Sequence, residues 1–71
     1  MKSHYSMMIQ WSIEDEIYIV SLPEFGERAH THGNSYAEAV QNGEEVLELL
    51  IQEYQSLGRM LPTPITISVA A

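Results

Sequence analysis

Only residues 35–58 of this chain carry a sustained helical pattern, and the remaining segments have to be arranged around it. Advancing about 100° per residue from Tyr36, Val40, Leu47 and Ile51 fall to one side and Tyr54 almost directly over the start. Ala39, Gly43, Val46, Leu50 and Leu57 fall to the other side. Together they form one broad apolar stripe, the pattern of a helix that covers a core on one face only. The opposite face carries Glu38, Gln41, Asn42, Glu45, Glu48, Gln52 and Glu53. Ser35 is placed to cap the helix, with Glu38 at the capping-box spacing, and Gly58 to end it. Gly43 within the stripe implies a close backbone approach there, since glycine in a helix otherwise only costs stability.

A single helix cannot bury its own stripe, so strands must. Residues 4–12, HYSMMIQWS, alternate, with Tyr5, Met7, Ile9 and Trp11 on one face; period two is the mark of a half-buried strand. Glu14, Asp15 and Glu16 form an acidic turn. Residues 17–22, IYIVSL, are rich in β-branched and aromatic types and give a second strand, stopped by Pro23. Residues 23–27 form a loop, 28–32 a short third strand, and Gly33–Asn34 a break where Gly33 is expected to take a positive φ. After Pro62 and Pro64, residues 65–69 alternate Ile65, Ile67 and Val69 against Thr66 and Ser68 and predict a last strand. The expected fold is α+β, a two-layer β-β-β-α-β sandwich with one helix on a small, mainly antiparallel sheet. Residues 1–71 form a single domain.

Composition narrows the function. Ten acids against Lys2, Arg28 and Arg59 leave a net charge of −7. Nucleic-acid binding needs several phosphate contacts from Lys or Arg, so direct nucleic-acid binding by this chain alone is not expected. An acidic surface suits a basic partner instead. There is no cysteine, which removes disulfides, thiol nucleophiles and cysteine-based zinc sites. No apolar run reaches the ~20 residues that cross a bilayer, and residues 1–12 lack the marks of a signal peptide. A cytoplasmic protein without membrane association is expected.

His30 and His32 are the remaining chemical question. On a strand, residues two apart share a face, so the two imidazoles are expected side by side. Zinc sites take at least three protein ligands, and nothing in the spacing of His4 or the acidic turn supplies the third. No Ser, Thr or Lys nearby has the surroundings of an activated nucleophile. The expectation is no metal, no cofactor and no catalysis, with His30, His32, Gly33, Ser35 and Glu38 making a strand-to-helix junction in which His32 packs at the strand end. A vestigial hydrolase using His30 and His32 is the competing reading from another functional class.

The whole pattern resembles a known family. A hairpin whose second strand ends in Pro23, Glu24 and Phe25, a Thr-x-Gly-Asn-Ser turn at residues 31–35, and the helix entry Glu38-Ala39 are similar to the N-terminal domain of HicB antitoxins. The resemblance runs over residues 5–51. It rests on the order and spacing of motifs rather than on any one of them. It implies a domain like a partly degraded ribonuclease H fold without catalysis of its own. The implied partner is a HicA-type toxin, a small basic ribonuclease that cleaves messenger RNA. Longer members add a DNA-binding domain. With the sequence ending at Ala71, straight after the expected last strand, a DNA-binding domain and transcriptional autoregulation are not expected, and the loop reads Phe-Gly-Glu-Arg-Ala-His where the family commonly has Pro-Gly-Cys.

A basic partner must meet exposed acids. The two candidate surfaces are the turn Glu14, Asp15 and Glu16, and the helix face with Glu38, Glu45, Glu48 and Glu53. Leu49 interrupts that second face, ringed by polar residues, and is a candidate apolar anchor. The uncharged residues 65–69 would be adhesive at a sheet edge, which predicts a homodimer or higher oligomer. An alternative to the antitoxin is an orphan dimeric module of the same fold, binding another protein or a small ligand.

Overall fold

The computed structural model describes residues 3–69. It contains three strands, β1 (Met8–Ser12), β2 (Ile17–Ser21) and β3 (His30–Gly33), and one helix, α1 (Tyr36–Ser56). A 3-10 turn, Pro23–Phe25, separates β2 from β3. The sheet is antiparallel in the order β1-β2-β3, with Ile9 opposite Val20, Trp11 opposite Tyr18, Val20 opposite Thr31 and Tyr18 opposite Gly33. The class is therefore α+β, three antiparallel strands and one helix.

The last strand is not formed. Residues 65–69 are exposed, and among the described residues they take part in no strand pairing. Alternation supplies a strand's side chains without supplying its partner, and an unpaired segment is not a strand. The first strand is also shorter than its pattern. Residues 4–7 alternate but run past the end of β2, so pairing begins only at Met8, opposite Ser21. The third strand is displaced to His30–Gly33, because the loop before it is closed by its own hydrogen bonds: Leu22 N–H donates to Ala29 O and Ala29 N–H to Gly26 O.

α1 lies against β3 and β2. Ser35 caps it as expected, its hydroxyl accepting from Glu38 N–H at 3.1 Å. The Glu38 carboxylate reaches back one residue further than a capping box requires, accepting from Asn34 N–H at 2.9 Å. At the far end Gly58 takes φ +66°, and Gly58 N–H and Arg59 N–H donate to Gln55 O and Tyr54 O. That pair of bonds is a Schellman stop. The core is small: Val20, Leu22, Ala39 and Leu47 are buried, with Gly33 and Gly43 beside them.

Both buried glycines answer to space. A Cβ on Gly43 would meet Met7 Sδ at 2.7 Å and Val20 Cγ1 at 3.1 Å, so the close approach inferred from the stripe exists. A Cβ on Gly33 would lie 2.5 Å from Ala39 N. Gly33 is not among the residues of positive φ. It belongs to β3 and permits contact with the first turn of α1, which corrects the expected turn conformation.

Candidate functional site

α1 presents its polar face to solvent across most of its length. Glu45, Glu48, Leu49, Gln52 and Glu53 are all exposed. Positions three and four apart are neighbours on a helix, so Leu49 has Glu45 one turn before it and Glu53 one turn after. Glu45, Glu48, Leu49 and Gln52 line a shallow depression of about 320 Å³. Leu49 is 64% exposed at its centre. The surface combines an apolar point with exposed carboxylates.

Glu14, Asp15 and Glu16 are exposed on the four-residue turn between β1 and β2. Asp15 N–H donates to Ser12 Oγ at 3.3 Å, Glu16 N–H donates to Ser12 O at 2.8 Å, and Glu16 closes the turn with φ +54°. This turn is separate from the Leu49 depression. It stands beyond a row of aromatic rings, Trp11 on Tyr18 at 5.0 Å and Tyr18 on Tyr36 at 4.4 Å between centroids, which marks the end of the molecule where α1 begins. The two acidic surfaces are therefore not one site.

Of the junction residues, Ser35 and Glu38 cap the helix. His30 and His32 are exposed. Strand alternation puts them on the sheet face turned away from α1, since Val20 and Gly33 face the helix. His32 does not pack at the strand end as expected; its carbonyl accepts from Asn42 Nδ2 at 2.8 Å while its ring stays out. Asn42 thus sits at the helix margin against β3, not on the solvent face where the wheel placed it. Among the described residues no group of three or more His, Asp or Glu side chains is placed to hold a metal ion. No helix among them is long and apolar enough to cross a membrane.

Two carboxylates stand out to which the sequence pattern assigned no contact. Glu24, in the 3-10 turn, accepts from Ser6 N–H at 2.9 and 3.0 Å, from Ser6 Oγ at 3.0 Å and from Ile65 N–H at 2.9 Å. Partial burial works to raise its pKa, but the bonds from Ile65 N–H, Ser6 N–H, its own N–H and the Ser6 hydroxyl outweigh that and hold it below 4.5. Nearby, Tyr5 OH donates to Pro62 O at 2.7 Å, and Phe25 meets Tyr5 and Tyr54 edge-on. Glu44 lines a groove of about 450 Å³ between α1 and residues 3–7, with Met7, Val40 and Leu47 as apolar walls and Glu48 on its rim. Comparison with known protein families, curated proteins and solved structures returns no match.

Proposed function

We propose that this chain is a HicB-like antitoxin domain that binds and neutralises a small, basic, HicA-type toxin cleaving messenger RNA. In this reading the three strands and helix correspond to the degraded ribonuclease H arrangement of HicB N-terminal domains. The supporting observation is Leu49, exposed at the middle of α1 within a ring of Glu45, Glu48 and Gln52. A large apolar side chain amid carboxylates gives a basic partner a desolvated anchor, while the surrounding charge speeds encounter and rejects acidic surfaces. The acidic turn Glu14, Asp15 and Glu16 is a second contact of the same sign, with the exposed Ile13 beside it. Neutralisation then consists of covering the toxin's active site, and requires no chemistry from the antitoxin.

The test is titration calorimetry against a HicA-type toxin, with RNA cleavage as the second readout. Wild-type chain is expected to bind and to suppress cleavage. Leu49→Ala should weaken binding about tenfold or more, as for a hot-spot residue worth at least ~1.4 kcal/mol. Unchanged affinity in Leu49→Ala removes the helix face as the contact, and no binding by the wild type removes the antitoxin assignment.

A further inference from the structure

β1 and residues 65–69 are complementary and neither is fully paired. β1 is an edge strand, bonded only to β2, so alternate residues of MIQWS turn N–H and C=O groups outward. The opposite edge is backed: α1 lies against β3, and Asn42 already occupies the His32 carbonyl. Residues 65–69 match β1 in length, and Ile67 and Val69 are 85% and 75% exposed. Neither segment carries a charge. Two chains of net charge −7 can therefore meet along them without placing like charges opposite each other.

Within one chain, residue 65 meets residue 6 through the Glu24 carboxylate and not through a strand pairing. Residue 65 starts beside residue 6, where a fourth strand would begin to run along β1. One carboxylate oxygen of Glu24 takes the N–H of both Ser6 and Ile65. A side chain thus stands where the first rung between those two backbones would form, and the chain beyond Ile65 departs unpaired. Next to residues 3–7, which lead into β1, the groove walled by Met7, Val40 and Leu47 lies open. It offers the apolar walls that Ile65, Ile67 and Val69 lack.

We infer that a second copy of this chain supplies the missing strand: residues 65–69 of each copy pair with the β1 edge of the other. Exchange across a two-fold axis completes both sheets at once and leaves no further edge of this kind to propagate an open array. Thr66 and Ser68 then share the outer sheet face with Gln10, and the three apolar side chains turn to the helix side of the sheet.

Light scattering and sedimentation on the full chain should report a dimer at about 20 µM. Ile67→Asp should abolish the dimer while far-UV circular dichroism keeps the helix signal, because that side chain is exposed within its own copy. The absence of native cysteine allows a direct check of who pairs with whom. Gln10→Cys and Thr66→Cys chains, mixed and oxidised, should form a disulfide between the two variants. A monomer at all concentrations, a dimer indifferent to Ile67→Asp, or a Gln10→Cys/Thr66→Cys double variant that closes only within one chain would each overturn the exchange. None of these measurements involves a toxin, so their outcome and that of the toxin titration are independent.

Discussion

At the scale of single residues, the two buried glycines separate cleanly. Gly33→Ala drives a methyl group into the Ala39 backbone, 2.5 Å away, where neither the strand nor the helix can give. A loss at or above the ~1–3 kcal/mol typical of overpacking is expected in urea denaturation. Gly43→Ala meets mainly the flexible end of Met7 and gains the ~1 kcal/mol by which alanine exceeds glycine in a helix, so its net change should stay within about 1 kcal/mol of zero. Equal losses at both positions would show that the helix does not ride on β3 as described. Glu16 offers the reverse case. Its φ of +54° is a conformation that costs an L-residue about 1 kcal/mol. Glu16→Gly should raise the thermal midpoint modestly, and a fall would mean that the Glu16 side chain holds the turn by some other contact.

Among elements, the connections decide more than the elements themselves. Glu24 ties residue 6, the 3-10 turn and residue 65 together with one charge. Its folded pKa is depressed, so its contribution to stability is fully present above 4.5 and fades as pH falls through the lower folded value. Glu24→Gln should therefore be less stable than wild type at neutral pH, and the gap should narrow as the solution is acidified below pH ~4. A gap that is constant with pH would make the carboxylate's role one of shape alone. The helix was legible to its cap and stop, since Ser35, Glu38, Gly58 and the stripe all act within a few residues of one another. Asn42 and Gly33 were misplaced because each answers to an element distant in sequence. The strand at residues 65–69 failed for the same reason in its strongest form: alternation states what a segment needs, and only the fold states whether it is met. Glu24 was marked in the sequence only as part of the Pro23-Glu24-Phe25 run, and its clamping role left no local trace, as its partners lie 18 and 41 residues away.

For the molecule as a whole, burial is lean. Four hydrophobic residues form the core, while Trp11, Tyr36, Leu49, Ile65, Ile67 and Val69 are among the large apolar side chains left exposed. The radius of gyration is 13.1 Å, against about 11 Å for a compact chain of this length. A monomer built this way is at the margin of what one small core sustains. The proposed toxin contact and the proposed exchange use different parts of this excess, Leu49 for one and residues 65–69 for the other. The salt response should tell them apart. Toxin association rates should fall steeply as ionic strength rises, whereas the dimer should not weaken, since salt only screens the repulsion between two chains of net charge −7. A dimer that dissociates with salt as readily as the toxin complex would contradict that division. The sequence made the acidic helix face and Leu49 visible, since both follow from the wheel. The groove beside Glu44 was invisible, because the pattern did not show that residues 3–7 turn in beside the helix.

The Glu24 clamp also has a topological consequence. Positions 6 and 65 lie side by side on one anion, so the backbone is nearly a closed ring. A short peptide bridging them, with a new opening cut at the Glu14–Asp15 bond, would leave every pairing of sheet and helix in place. Linear order along this polypeptide is in that sense an accident of where the ring happens to be cut.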